Sequence, residues 1–149
     1  MTAPQPVREY EVRARTTDVF GRVMCSARDH HYIIDGPVQN GCPGEEVTPA
    51  EAFLSGVAAC GVELVEVIAR DEGVKLSRVR LTINGTVDRS NQARSDVTVF
   101  NSVRLHFTVS GTDAARAQGL VDGFRRRCPL YGTVSVAVPD TTVEVSVEP

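Results

Sequence analysis

Between Ala52 and Val62 the chain runs through Ala-Phe-Leu-Ser-Gly-Val-Ala-Ala-Cys-Gly-Val without a single charge. A helix drawn through this stretch is apolar or small on every side, so it is expected to be buried all round rather than along one stripe. Ala52, Ser55, Gly56, Ala58, Ala59 and Gly61 keep its surface low, and a second helix is expected to cross there. The start is marked by Thr48 as N-cap, Pro49 at the first helical position and Glu51 where a carboxylate can reach back to the cap. The predicted helix continues to about Glu72 and stops at Gly73, a left-handed C-cap.

Such a helix needs other elements to cover it, and much of the remaining chain reads as strands. Val7–Thr16 alternates in polarity, and Asp18–Ser26 and His31–Asp35 are rich in β-formers, which predicts an N-terminal antiparallel meander. Asp35–Glu46 is dense in turn residues and reads as a loop of about ten residues. Leu76–Val87 and Val97–Val109 form a predicted hairpin across the polar turn Asp88–Asp96. Thr112 or Asp113 caps a second helix through Arg127, with Leu120, Val121 and Phe124 as its apolar stripe. Thr141–Val147 alternates as a last strand. The 149 residues, 42% of them hydrophobic, match one α+β domain over residues 1–149 with antiparallel sheets packed around a long buried helix.

Charge and composition exclude several functions. A net charge of −3 leaves no nucleic-acid footprint, and Arg125–Arg127 are too few to supply one. No apolar run approaches the ~18 residues of a membrane span, and Met1-Thr-Ala-Pro-Gln-Pro6 lacks the charged and apolar parts of a leader, so a cytoplasmic protein is expected. Cysteines 25, 42, 60 and 128 contain no CxxC pair and read as reduced thiols rather than a disulfide framework or a zinc ribbon. His30-His31, with Asp29 and Asp35, is no convincing metal site because neighbouring strand residues face opposite sides; no metal is expected.

Two of the cysteines carry the chemical interest. Cys60 lies in the uncharged stretch, and Cys128 opens Cys-Pro-Leu-Tyr after three arginines. A cysteine in a water-poor setting with cations nearby can be an activated thiolate, which points to redox work. The plainer readings are core packing for Cys60, helix-end packing for Cys128, a solvated helix end for Arg125–Arg127 and a capping role for Glu51. Cys25 and Cys42 read as incidental.

The order Asp35-Gly-Pro, Thr48-Pro-Ala-Glu-Ala-Phe-Leu-Ser-Gly-Val-Ala-Ala-Cys60, Ala69 to Gly73-Val-Lys-Leu and Cys128-Pro-Leu-Tyr131 resembles the OsmC/Ohr family over nearly the whole chain. The resemblance implies an OsmC/Ohr-like fold, an intertwined homodimer with its site at the interface, and peroxidase chemistry on organic hydroperoxides. It assigns Cys60 as the peroxidatic thiol and Cys128 as the resolving one, with no bound cofactor and an external dithiol or lipoyl-type reductant. One position departs: Ohr proteins carry glutamate directly after the proline, where this chain has Ala50. Glu51 follows one residue later, similar to the OsmC-like, YhfA-like branch, and residues one apart differ by about 100° around a helix. A replacement cation for the Ohr-type arginine clamp is sought in Arg22 and Arg28 on the predicted meander. Cys60 stands about three turns inside its helix, beyond the N-terminal dipole, and Glu63 on the same face opposes a thiolate. The alternative is a non-catalytic stress protein holding an apolar ligand at the same interface.

Overall fold

The computed structural model describes residues 6–149. Most of the N-terminal run read above for a leader, residues 1–5, lies outside the described residues. Two compact units make up the chain, one reaching to Ala52 and the other from Phe53 to Pro149.

The first unit is an antiparallel meander, β1 (Arg13–Thr16), β2 (Arg22–Ala27) and β3 (His30–Asp35), in the order β1-β2-β3. Alternation over residues 7–12 had extended the first strand; the structure pairs only Arg13–Thr16, with Arg13 opposite Ser26 and Thr16 opposite Val23. Ala27 pairs with His30, which leaves Arg28 and Asp29 as the turn, and Arg28 takes a left-handed φ of 53°. The glycine-rich loop then folds back on the meander: Gly36 N–H donates to Gly21 O at 2.7 Å, and the Cys42 thiol occupies the space that a Cβ on either Gly21 or Gly36 would need.

Helix α1 (Pro49–Asp71) starts where its cap signals place it, with Thr48 N–H donating to Glu51 Oε2 at 2.8 Å, and ends before Gly73 at φ 69°. In the second unit β4 (Arg78–Thr86) and β5 (Ser102–Ser110) form the expected antiparallel hairpin, and β6 (Thr141–Glu148) joins β5 in parallel. The parallel pairing follows from the two helices between them, α2 (Ala114–Arg127) and α3 (Pro129–Ala137), since a parallel neighbour requires a crossover. Asp113 is the α2 cap, accepting from Arg116 N–H. Helix α3 was not anticipated. The core lies where Val103, Leu105, Phe107 and Val109 of β5 meet Leu120, Val121 and Phe124 of α2 and Val57, Val65 and Ile68 of α1.

Burial of α1 differs from the expectation. Val57, Gly61, Val65, Ile68 and Ala69 are buried, a single stripe, while Phe53, Ser55 and Ala59 are exposed. Leu54, Cys60 and Leu64 pack half-buried beside that stripe. Close approach does occur at the glycines: Leu130 of α3 comes against Gly56, and Leu81 and Phe107 come against Gly61. By length and mean hydropathy, 1.8 over its best window, α1 also passes the test for a membrane span, contrary to the reading that no run approaches that length.

Candidate active site

Cys60 and Cys128, 68 residues apart in sequence, come together in the second unit with their sulfurs 2.7 Å apart, and both are free thiols. Cys60 reaches this point from about three turns inside α1, held down by the next residue, Gly61, which lets the helix lie against Leu81 and Phe107. Cys128 stands at the joint of two helices. Its N–H ends α2 by donating to Phe124 O at 2.9 Å, and its Sγ begins α3 by accepting from Tyr131 N–H at 3.3 Å, with Pro129 at the first helical position. Sulfur here does what the Ser or Thr hydroxyl of an ordinary N-cap does. Aromatic rings brace the joint: Phe124 lies 5.3 Å from Phe107 edge-on and 5.3 Å from Tyr131.

The two sulfurs have different surroundings. Cys60 is partly buried against the core, and Cys128 is 3% exposed. Burial, then the adjoining Cys128 sulfur, then the Glu63 carboxylate push the Cys60 thiol up to about 12. These surroundings favour the protonated thiol, and Glu63 opposes a thiolate as its place on the helix indicated. Arg125, in the last turn of α2, donates from Nε to Tyr131 Oη at 3.2 Å while its guanidinium sits 5.9 Å from the Tyr131 ring centre. A cavity of about 660 Å3 beside this arginine takes in Arg126, Tyr131 and Ser135 but neither cysteine.

The remaining candidates lie in the first unit. Arg22 opens β2 and grips Asp35 at the end of β3 through Nε and Nη2, both at 2.8 Å, while Nη2 also reaches Glu45 at 2.8 Å. Asp35 is fully buried and further accepts the N–H groups of Glu45 and Glu46 at 3.1 Å each. The Arg22 hydrogen bonds hold the Asp35 carboxyl far below the usual carboxylate range, and the guanidinium is correspondingly harder to deprotonate. Arg22 thus already serves two carboxylates and ties the loop to the sheet. Arg28 is exposed at the hairpin tip. Glu51 caps α1 through Thr48, as the start signal requires. Among the described residues no three of His, Cys, Asp and Glu come together as a metal-holding group.

The Arg22–Asp35–Glu45 cluster and the capping role of Cys128 were missed in the sequence. The first spans 13 and 23 residues and leaves no local signal. The second was available, because Cys128-Pro129 repeats the cap-then-proline order of Thr48-Pro49.

A sequence model of the family described as OsmC-like protein matches residues 42–144, which includes both cysteines of the pair. A search of curated proteins returns no match. Among solved structures, the chain is similar to an OsmC-like protein from Mycoplasma pneumoniae, at TM-score 0.78 and 17% identity over 95% of this chain and 96% of that one. It is also similar to an organic hydroperoxide resistance protein from Elizabethkingia anophelis, at TM-score 0.79 and 15% identity over 97% and 100%. An organic hydroperoxide resistance protein OsmC from Legionella pneumophila matches at TM-score 0.73 and 19% identity over 97% and 100%. At these identities the likeness is one of fold.

Proposed function

From the premise that this chain belongs to the OsmC-like family, we propose that it is a thiol-dependent peroxidase that reduces organic hydroperoxides. The observation that carries the reading is the meeting of two free thiols, Cys60 and Cys128, at 2.7 Å in a largely apolar setting. Two relatives in fold bear names of organic hydroperoxide resistance, which supports the same substrate class. In the proposed cycle Cys60 attacks the distal peroxide oxygen, the alcohol leaves, and the sulfenic acid condenses with Cys128 to a disulfide that an external dithiol reduces. Apolar walls favour an alkyl hydroperoxide over hydrogen peroxide. We also propose a homodimer, which would cover the exposed Phe53, Leu130 and Val136.

One observation favours a second reading. The raised Cys60 thiol is a poor nucleophile as it stands, as a non-catalytic protein holding an apolar ligand would have it. Peroxide-dependent oxidation of dithiothreitol separates the two. The peroxidase is expected to turn over cumene hydroperoxide faster than hydrogen peroxide and to lose that turnover in Cys60→Ser; no turnover by the wild type leaves the ligand-binding reading.

A further inference from the structure

The cavity beside Arg125 takes no part in the thiol chemistry, since neither Cys60 nor Cys128 lines it. Asp122, Arg125 and Arg126 reach it from the second half of α2, Tyr131 and Ser135 from α3, and Thr141 from the start of β6. We propose that this cavity binds a small organic carboxylate, held by the guanidinium groups of Arg125 and Arg126 and by the hydroxyl of Tyr131. The inference goes beyond the peroxidase reading and does not depend on it.

The donors follow from what each group already does. Tyr131 is buried, and its hydroxyl oxygen accepts from Arg125 Nε at 3.2 Å; its own proton remains to be donated, and among the described residues nothing accepts it. The same contact orients the Arg125 fork. Its Nε is engaged by the tyrosine and its Nη1 has only a loose contact with Asp122 at 3.8 Å, while Nη2 has no partner among the described residues. Arg126 is exposed and forms no ion pair among the described residues. Ser135 Oγ donates to Gly132 O at 2.9 Å and Thr141 Oγ1 to Val138 O at 2.6 Å, so these two hydroxyls have committed their protons. The uncommitted donors therefore belong to Arg125, Arg126 and Tyr131, and they call for a negatively charged acceptor.

Charge and size narrow the ligand. The guanidinium groups of Arg125 and Arg126 with the carboxylate of Asp122 leave a single positive charge, which one carboxylate neutralises and a phosphate dianion would overshoot. The volume, about 660 Å3, is that of a small-molecule pocket rather than of a bare ion, and Pro139 gives the ligand's carbon body an apolar wall. Tyr131 is also the residue whose N–H meets Cys128 Sγ, so the carboxylate site adjoins the thiol joint through one residue without including either sulfur.

Isothermal titration calorimetry of the full chain with benzoate, benzamide and phenyl phosphate at fixed ionic strength is the test. Benzamide keeps the ring and the planar head of benzoate but lacks the charge. Benzoate is expected to bind once per chain, about tenfold or more tighter than benzamide and tighter than phenyl phosphate. Tyr131→Phe keeps the ring and the N–H on Cys128 while deleting the donor, and Arg125→Gln changes an exposed position, so both variants are expected to fold. Each should weaken benzoate about tenfold or more and leave benzamide unchanged. Benzoate no tighter than benzamide overturns the inference, and so does benzoate binding that neither variant weakens, which would place the ligand elsewhere. Phenyl phosphate tighter than benzoate overturns the carboxylate assignment.

Discussion

Gly61 and Gly119 offer a controlled comparison of what holds Cys60 in place. Both lie inside helices, and replacing either with alanine gains the same helix propensity, about 1 kcal/mol. They differ in what the new methyl meets. At Gly119, exposed on α2, a Cβ has nothing within 4 Å. At Gly61 the Cβ would lie 2.6 Å from Leu81 Cδ2 and 3.0 Å from Phe107 Cζ. Leu81 can swing aside, being partly buried, but the Phe107 ring is fully buried and packed edge-on against Phe124, so α1 must lift from the sheet. Overpacking of this kind costs about 1–3 kcal/mol. The propensity gain cancels between the two variants, so their difference measures the steric effect alone. Gly119→Ala is expected to stabilise by about 1 kcal/mol. Gly61→Ala should fall below it by about 1–3 kcal/mol, or roughly 3–9 °C in Tm for a chain of this size. Urea unfolding of both at equal protein concentration, read as midpoints with unchanged slopes, checks this. Equal midpoints would refute the claim that Gly61 is where helix and sheet press together.

Three further outcomes follow from the structure. Asp35→Asn should flatten the acid limb of stability: a carboxyl held below its ordinary value stabilises the fold above about pH 4 and loses that contribution as pH falls below it, so thermal melts of wild type and variant between pH 2 and 5 should converge toward the acid end. Arg28→Gly relieves a left-handed residue at the hairpin tip and should raise stability by about 1 kcal/mol; an unchanged or lower melting midpoint would show that Arg28 is held there by something it gains. Iodoacetamide should alkylate Cys60 slowly at neutral pH, with a rate still rising above pH 9, and a plateau by pH 8 would contradict the burial and Glu63 effects assigned to it.

Local signals announced the elements that depend on them. Thr48, Pro49 and Glu51 fix the start of α1, Gly73 its end and Asp113 the start of α2, because caps act within four residues. Helix α3 escaped notice because its cap is a cysteine, a residue not counted among capping types, and because nine residues hold too little periodicity to stand out. Pairing of Cys60 with Cys128 was implied by family resemblance and by nothing in the spacing. The contact of Arg22 with Asp35 and Glu45 depends on how a hairpin and a loop fold back, which composition does not encode. The uncharged run of α1 was read as buried on all sides, yet apolar residues reveal only that a face wants cover, not whether the same chain provides it.

The parallel seat of β6 has a consequence for how the protein is made. Strand β5 is the centre of its sheet and the most deeply buried strand of the chain, and its second edge is closed only by Thr141–Glu148. A ribosome that has just delivered β5 must still synthesise α2, α3 and the whole of β6 before that edge is closed. During that interval Val103, Leu105, Phe107 and Val109 sit on an open strand able to pair with any other nascent chain. A stop codon before residue 141 would make that interval permanent, so truncated chains should appear in inclusion bodies rather than as a smaller folded protein.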